Sequence, residues 1–356
     1  MKKFIKFSMT AVLAAAMLVG CGSNEKTGSV EITEASVVVN EKEETAAVAE
    51  TTATEEAQTE ANEADASSDK VYKIGVIQYV QHDALDAANE GFFAALDDAG
   101  IKYEADQQNA SGDQTACQTI SEKLVNDQDD LILAIATPAA QAVVGVTDEI
   151  PVLVTAVTDP AESGLVASND APGGNVSGTS DLTPVKEQIE LLTKLIPDAK
   201  KVGILYCSAE SNSKIQGEMA VEACEAAGLE AEIFTVASSN EIQQVVESMV
   251  GKVDCIYAPT DNVIAAGMAT VGMVATENKL PVICGESGMV NEGGIATYGI
   301  DYYQLGYMTG EMAVDILVNG KNPADMPIGY LSAEQCEFTG NEANAAALGI
   351  DLSVVQ

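Results

Sequence analysis

A short motif after an apolar run combines groups that are suited to holding an anion. Residues Ala136-Thr-Pro-Ala-Ala-Gln-Ala142 follow the run Leu131–Ile135 and open a helical pattern. Thr137 is a good N-cap and Pro138 suits the first helical position. Free backbone N–H groups at a helix start attract negative charge. The Thr137 hydroxyl and the Ala139 and Ala140 amides are therefore candidate donors to a carboxylate; a capped helix with nothing bound is the alternative.

A second motif, Pro259-Thr-Asp-Asn262, stands at the equivalent place in the second half of the chain. It has Asp261 where the first motif has Pro138, so it adds a carboxylate that suits a cation. Together, the two motifs would match the carboxylate and the ammonium of an amino acid. Asp261 as a plain N-cap is the alternative, and Glu286 and Asp301 are further candidates to pair with an ammonium.

Other polar residues follow or end predicted strands and are candidates for the same site. Thr158 and Asp159 follow the run at residues 152–155, where a turn before Pro160 is the alternative role. The remaining candidates lie at the end of the first strand of each half, Gln78 and Tyr79 in the first and Tyr206 and Asn212 in the second. Each can offer a hydrogen bond, and a tyrosine can also stack on a ring.

The sequence lacks the patterns of covalent catalysis and of metal binding. His82 is the only histidine, and a surface or helix-cap position is expected for it. It is a poor basis for a Ser–His or Cys–His nucleophile, and no G-x-x-x-x-G-K-[ST] loop is present. The seven cysteines contain no C-x-x-C pair, so most are expected to be buried thiols and not zinc ligands; disulfides, which an exported protein can form, are the alternative. We therefore expect no enzyme, no metal and no cofactor.

The candidate residues lie on an alternation of short apolar strands and helical segments. The predicted strands are residues 72–78, 102–105, 131–135, 152–155, 201–206, 230–235, 255–257 and 282–284. The predicted helices are residues 84–99, 113–126, 138–146, 184–195, 213–227, 241–250 and 262–277. This order predicts an α/β fold with parallel sheets and helices on both faces.

The two halves of this alternation resemble each other. The matched segments are 73–79 with 201–207, 130–137 with 254–260, 150–154 with 280–284, and 173–181 with 293–301. They predict two similar Rossmann-like lobes with a ligand cleft between the carboxyl ends of their strands. We expect residues 71–182 plus 301–325 in the N-terminal lobe and residues 183–300 plus 326–356 in the C-terminal lobe. The third crossing between lobes is expected near residues 323–327.

The first residues have the pattern of an export signal. Lys2, Lys3 and Lys6 precede an uncharged run at residues 7–20, which is shorter than the about 20 residues of a membrane span. The run ends in Leu18-Val-Gly-Cys21, which resembles a bacterial lipoprotein signal with a lipidated cysteine. We expect removal of residues 1–20 and lipid on Cys21; an ordinary signal peptide is the alternative. Residues 21–70, rich in Glu, Ala, Thr and Ser, are predicted to form an acidic, disordered tether.

Composition narrows the class of partner. The net charge of −38 at pH 7 argues against nucleic acid, because phosphate contacts need lysine and arginine. It argues equally against electrostatic binding to anionic membranes. Residues 71–356 leave room for two domains of ordinary size, and the apolar fraction of 47% suffices to build their cores.

Several segments together resemble a known family. They are Ile77-Gln-Tyr-Val-Gln-His-Asp-Ala-Leu-Asp86, Ala136-Thr-Pro-Ala-Ala-Gln-Ala142, Ala156-Val-Thr-Asp-Pro160, Gly174-Asn-Val-Ser-Gly178 and Pro259-Thr-Asp-Asn262. They look like the ABC-transporter substrate-binding family that includes the tryptophan/tyrosine-binding lipoproteins, over essentially all of residues 71–356. The resemblance implies a type I periplasmic-binding-protein fold with three interdomain crossings. It also implies a permease and an ATPase as partners, and a place on the outer face of the cell membrane.

The resemblance and the paired motifs favour an amino acid, aromatic or otherwise hydrophobic, bound by closure of two lobes. A sugar or other small solute is the alternative, although the chain is poor in the arginine and tryptophan that sugar sites use. A sensor lipoprotein without a transporter would have the same fold. An enzyme on the same scaffold is the least favoured reading, and a monomer is expected.

Overall fold

The computed structural model describes residues 70–355 of the chain. The predicted signal peptide, Cys21 and nearly all of the predicted tether lie outside these residues. Within them, no helix has both the length and the apolar character that a membrane crossing requires.

Twelve strands lie within residues 70–355. They are β1 (Val71–Gln78), β2 (Lys102–Asn109), β3 (Leu131–Ile135), β4 (Val152–Val157), β5 (Val176–Ser180), β6 (Lys201–Cys207), β7 (Glu230–Val236), β8 (Cys255–Ala258), β9 (Val282–Cys284), β10 (Ala296–Gly299), β11 (Gly329–Tyr330) and β12 (Glu337–Gly340). The eight predicted strands are all present, which confirms the alternation. Four strands, β5, β10, β11 and β12, were not predicted as strands.

Eleven α-helices lie within the same residues. They are α1 (Asp83–Asp98), α2 (Gln114–Asn126), α3 (Thr137–Val144), α4 (Val185–Leu195), α5 (Ser211–Ala226), α6 (Ile242–Met249), α7 (Asn262–Ala266), α8 (Met268–Glu277), α9 (Ser287–Glu292), α10 (Tyr302–Leu317) and α11 (Glu342–Leu348). The single helix predicted at 262–277 is interrupted at Gly267, which lies against Ile242 with no room for a side chain.

The strands form two six-stranded sheets, one in each lobe. The first has the order β11-β5-β4-β3-β1-β2, and all its neighbours are parallel. The second has the order β12-β10-β9-β8-β6-β7, and only β12 is antiparallel. Helices α1, α2, α3 and α10 belong to the N-terminal lobe, and α4–α9 and α11 belong to the C-terminal lobe. The predicted pair of α/β lobes is confirmed.

The central strands are buried on both faces because helices cover both sides of each sheet. Every residue of β3 and of β4 is buried, as parallel sheets require. Five of the six cysteines within residues 70–355 are buried, and all six are unpaired thiols. Such thiols fill the core as small apolar groups.

Helices α1 and α10 pack closely along their length, and both begin at the edge of the N-terminal lobe that faces the other lobe. Gly306 of α10 lies directly against the backbone of Ala88, and Gly91 of α1 lies against the backbone of Tyr303. A Cβ at either glycine would overlap that backbone. The two helix starts, His82 and Tyr302, are therefore held in a fixed relation to each other.

The chain crosses between the lobes after β5, after β10 and after β11. The third crossing lies later than the predicted residues 323–327. Strand β11 pairs with β5, the Ser177 hydroxyl donates to the Met326 carbonyl over 2.6 Å, and the Ile328 N–H donates to the Asn169 carbonyl over 2.8 Å. These contacts keep the chain in the N-terminal lobe up to Tyr330, so residues 326–330 do not belong to the C-terminal lobe.

Candidate ligand-binding site

The carboxyl ends of the two sheets face each other across a narrow cavity. Its walls are His82, Leu85, Ala156, Asp181 and Tyr302 on one side and Asn212, Thr260, Asp261, Asn262, Ala265 and Glu286 on the other. In this closed conformation the cavity volume is about 10 Å³, far below the about 300–1,000 Å³ that is typical of ligand sites. A small molecule therefore fits between these walls only when the lobes are farther apart than they are here.

Each lining residue stands where its element ends or begins at the cleft. His82 immediately precedes α1 and Tyr302 is the first residue of α10. Asp181 follows β5, and Glu286 lies between β9 and α9. Parallel strands carry all their carboxyl ends to one edge, so residues distant in sequence converge there.

Hydrogen bonds join the lobes directly across this cleft. The Gln216 side chain donates from Nε2 to the Thr158 hydroxyl over 2.9 Å and also contacts the Thr260 hydroxyl. The His82 Nε2 and the Asn262 Oδ1 are 3.3 Å apart. Because these pairs combine residues of different lobes, the structure is a closed conformation.

Four buried carboxyl groups surround the cavity, and burial raises the pKa of each. The pKa of Asp181 rises to about 6 and that of Glu286 to about 7, in both cases mainly through loss of solvent. Burial also raises the pKa values of Asp261 and Glu210, and the negative charge of Asp261 adds to the rise at Glu210. The sequence contains no arginine, and no lysine is among the described residues that line the cavity.

Two of these carboxyl groups accept hydrogen bonds that connect separate elements of the C-terminal lobe. Asp261 accepts from the Cys207 N–H over 2.5 Å and from the Ile264 N–H over 2.7 Å. Glu210 accepts from the Val263 N–H over 3.1 Å and from the Asn262 side chain. The pair therefore ties the end of β6 and the start of α5 to the start of α7.

The cavity also has acceptors whose hydrogen-bonding capacity is unused. Asp181 accepts the Tyr302 hydroxyl over 2.8 Å through Oδ2. Within residues 70–355, neither its Oδ1 nor the Oδ1 of Asn212 on the opposite wall makes a hydrogen bond of normal geometry, although the Thr158 hydroxyl is near enough to Asp181 to lower its pKa slightly against the larger rise from burial. Both residues are no more than 5% exposed. Buried polar atoms are normally paired, so these two oxygens mark a place for a donor.

The structure brings together three of the predicted binding residues, Asn212, Asp261 and Glu286, at the cavity. Glu286 also caps α9, accepting from the Gly288 and Met289 N–H groups over 2.5 and 2.7 Å. Thr158 lies at the interlobe contact with Gln216. For Asp261, the capping role weighed as the alternative is present in addition to its place at the cavity.

Four predicted residues have other partners and do not line the cavity. Gln78 donates to Asp86 over 2.6 Å, Tyr206 packs against Gly217 of α5, and Asp159 accepts from the Ala161 and Glu162 N–H groups. Asp301 is exposed and caps α10 through the Gln304 N–H. Tyr206 is misplaced because side chains alternate along a strand, and Asp159 forms the turn weighed as its alternative.

The first motif differs from its prediction in detail. Ala136, with φ 80° and ψ 152°, is the N-cap of α3, and Thr137 is the first helical residue. The Ala140 N–H donates to the Ala136 carbonyl over 3.0 Å, so it is not free for a ligand. Ala139 is buried. The Thr137 hydroxyl is buried with no hydrogen-bond partner among the described residues.

Tyr79 lies beside a second opening between the lobes. Its hydroxyl donates to the Gly112 carbonyl over 3.0 Å, and its ring lines this opening together with Cys207 and Val263. It therefore belongs to the cleft but not to the central cavity.

Sequence reasoning missed His82, Asp181, Glu210, Gln216 and Tyr302 as site residues. His82 occupies the N-cap position of α1, one of the two positions expected for it, but its ring makes no capping hydrogen bond and reaches Asn262 across the cleft instead. One signal was available, because Asp181 ends the repeat unit that is matched by residues 293–301. Glu210 immediately precedes α5 and Gln216 lies within it, and the pattern of that segment reveals nothing about the opposite lobe.

Two α/β lobes closed over a small buried cavity, with three chain crossings, define the class of two-lobed solute-binding proteins with the type I periplasmic-binding-protein fold. Residues 73–353 match the family model described as ABC transporter substrate binding protein. The chain belongs to this family.

Individual relatives are similar over nearly the whole described part. A tyrosine-binding protein of Clostridioides difficile (strain R20291) is 40% identical over 351 residues, covering 98% of this chain and 92% of that protein. The crystal structure of an ABC domain in complex with L-Trp from Streptococcus pneumonia is 41% identical with a TM-score of 0.77, covering 80% of this chain and 98% of that chain.

A third relative shows which conformation this structure resembles. The ligand-free, open structure of a substrate-binding protein with adhesive properties from Clostridium difficile is 45% identical, covering 79% of this chain and 96% of that chain. Its TM-score is 0.61, lower than that of the L-Trp complex despite the higher identity. The lobe arrangement here is closer to that of the L-Trp complex, in agreement with the hydrogen bonds across the cleft.

Proposed function

We propose that this substrate-binding protein serves an ABC importer and binds an aromatic or other hydrophobic amino acid between its lobes. The observation that supports this function is the pair of unpartnered buried oxygens, Asp181 Oδ1 and Asn212 Oδ1, on opposite walls of the closed cavity. An ammonium group has three donors and no acceptor. Because the two oxygens belong to different lobes, closure of the lobes is needed to bring both toward the same ammonium.

The remaining parts of the ligand have matching surroundings. Leu85, Ala156, Ala265 and the ring of Tyr302 offer apolar contacts to a side chain. We assign the ligand carboxylate to the Thr137 hydroxyl, a buried donor without a partner in the described part of the chain. The relatives whose names state tyrosine or L-Trp support an aromatic side chain.

The proposed site is tested by calorimetric titration with the common amino acids, with sugars and nucleosides as controls. We expect binding of tyrosine, tryptophan or another hydrophobic amino acid. The substitution Asp181→Asn, which removes the charge but keeps the shape, should weaken that binding by about 10- to 100-fold. Asp159→Asn is the matched control, because Asp159 accepts hydrogen bonds within its own loop. If only sugars bound, the proposal that the ligand is an amino acid would be wrong and a sugar would be the ligand.

We further propose that lipid on Cys21 anchors the protein to the outer face of the cell membrane, where it delivers its ligand to a permease and an ATPase as a monomer. The motif Leu18-Val-Gly-Cys21 supports the anchor. Labelling of cells with radioactive palmitate tests it. The wild-type chain should incorporate label and fractionate with membranes, and Cys21→Ser should do neither; equal labelling of both chains would contradict the anchor.

A further inference from the structure

The central cavity has many hydrogen-bond acceptors and few cations. Asp181, Asp261 and Glu286 line it, and Glu210 contacts two of the lining residues, Asn212 and Asn262. Each of these four side chains is at most 5% exposed. Among the described residues that line the cavity there is no lysine, and the sequence contains no arginine. Asp181, with a pKa of about 6, is mostly ionised at neutral pH, and no cationic side chain among the described residues that line the cavity balances its charge.

Several of the donors on these walls are already committed to protein acceptors. The Tyr302 hydroxyl donates to Asp181, and the Asn262 side chain donates to Glu210. The Asn212 Nδ2 is within 3.3 Å of the Thr260 carbonyl. His82 has a pKa lowered mainly by burial, so its ring is neutral at neutral pH. A ligand thus finds free acceptors, at Asp181 and Asn212, more readily than free donors.

The cavity therefore favours the ammonium group of an amino acid over its carboxylate group. An ammonium gains from the nearby carboxylates and from the two unpartnered oxygens, because opposite charges attract strongly where water is excluded. A ligand carboxylate near the same walls meets the charge of Asp181, and the Thr137 hydroxyl assigned to it is not among the residues that line the cavity. Removing the carboxylate from the ligand removes this repulsion together with that one hydrogen bond.

We propose that the ammonium group is the main determinant of affinity and that decarboxylated aromatic amines, the class of tyramine and tryptamine, are also ligands of this protein. The proposal rests on the amino-acid site described above. It extends the ligand class from amino acids to monoamines with an aromatic side chain. Aromatic carboxylic acids without an amino group are excluded by the same charges.

The test is isothermal titration of the full-length protein in mild detergent with three matched ligands. These are L-tyrosine, tyramine and 3-(4-hydroxyphenyl)propionate, which differ only in the carboxylate or the amino group. The corresponding tryptophan series is measured in parallel. We expect the amine to bind within about tenfold of its amino acid, and the propionate to bind more weakly than either by about 100-fold or more.

The outcomes separate this proposal from the proposed function. If the amino acid binds and the amine is weaker by about 100-fold or more, the amine proposal is wrong and the amino-acid site stands. If neither binds, the amino-acid function itself is wrong. If the propionate binds as well as the amine, the charge argument is overturned.

Two variants show whether Asp181 is the responsible group. Asp181→Asn should weaken the amine and the amino acid alike by about 10- to 100-fold, whereas Asp159→Asn should weaken neither. Asn212→Ala removes the second oxygen and should weaken both ligands by about tenfold. Circular dichroism and the melting temperature confirm that each variant is folded. Unchanged amine affinity in folded Asp181→Asn would contradict the proposal.

Discussion

Thr137 and Thr260 occupy equivalent places in the two lobes, two residues after the ends of β3 and β8, yet their hydroxyl groups differ completely in their surroundings. The Thr260 hydroxyl contacts Gln216, which in turn donates to Thr158 in the other lobe. The Thr137 hydroxyl is buried and has no partner within residues 70–355. Two copies of one motif have therefore diverged, one toward a protein contact and the other toward an unused donor.

The same contrast holds for the residues around each threonine. After β8, Asp261 caps α7 and Glu210 contacts the first residues of that helix, so the start of α7 is held by protein contacts alone. After β3, Ala136 has a strained backbone with φ 80° and ψ 152°. Strain and unpaired groups collect at functional sites because the fold maintains them at a cost. The start of α7 is thus stabilised within its own lobe, whereas the start of α3 keeps a strained residue and a buried hydroxyl without a partner among the described residues.

The largest expected effect on the free energy of unfolding comes from the loss of Asp261, which accepts two backbone hydrogen bonds. Asp261→Ala leaves the Cys207 and Ile264 N–H groups buried without an acceptor. The free energy of unfolding of the ligand-free protein should fall by about 3 kcal/mol, measured by urea denaturation. Asp261→Asn keeps one carbonyl oxygen and should lose less. A loss equal for both variants would contradict the assignment of Asp261 as a double acceptor.

The pH dependence of stability tests one carboxyl group from each side of the cleft. Asp181 and Glu286 have pKa values of about 6 and about 7, both above the ordinary values of about 4. Between these limits the folded state holds more protons than the unfolded state, so stability falls as pH rises, by about 3 kcal/mol for each group.

Differential scanning calorimetry of the ligand-free protein checks this dependence. The melting temperature should decrease from about pH 4 to about pH 7, and Asp181→Asn should flatten part of the decrease. An ammonium ligand prefers the ionised carboxylates, so its affinity should increase over the same range. A melting temperature that rises with pH in this window would show that burial does not raise the pKa values of Asp181 and Glu286.

The two threonines provide a matched pair for a smaller effect. Thr260→Val removes the partner of Gln216 and should lower the free energy of unfolding by about 1–2 kcal/mol. Thr137→Val replaces an unpartnered buried hydroxyl with a methyl group of similar shape, which should leave stability unchanged or raise it slightly. Chemical denaturation of both variants measures the difference. Equal losses would mean that Thr137 has a structural partner.

The smallest effect concerns the backbone at the start of each motif. Ala136→Gly should stabilise the protein by about 1 kcal/mol, because glycine tolerates its positive φ, and this gain exceeds the flexibility that glycine adds to the unfolded chain. The equivalent residue, Pro259, has a fixed negative φ, so Pro259→Gly should destabilise by about the same amount. Changes in melting temperature of opposite sign for the two variants would support the contrast between the two motifs, and changes of the same sign would contradict it.

Periodicity and repeats were sufficient to predict most of the fold. The runs at β3 and β9 had the predicted bounds, since short apolar segments between turn residues leave little choice. The third crossing was misplaced because β11 has only the residues Gly329 and Tyr330, too short for any pattern. Its pairing with β5 depends on tertiary contacts that no local window contains.

The binding site was less predictable than the fold, because the position of an acidic residue in the sequence does not reveal its hydrogen-bond partners in the structure. Asp261, Glu286 and Asp301 were the candidates to pair with an ammonium, and all three accept backbone N–H groups in the structure. Asp181, which was not a candidate, accepts the Tyr302 hydroxyl through one oxygen and makes no hydrogen bond of normal geometry through the other. That difference arises from Tyr302, 121 positions away in the chain, and from the crossing geometry that places them together.

The hydrogen bond between Tyr302 and Asp181 has a mechanical consequence. Asp181 stands at the first crossing and Tyr302 opens the helix after the second, so this one bond braces two of the three connections about which the lobes rotate. Its strength depends on the charge of Asp181, because hydrogen bonds to ionised acceptors are stronger. A cation bound beside that carboxylate would favour its ionised form and strengthen this hydrogen bond, so we expect ligand binding to stiffen these two connections between the lobes.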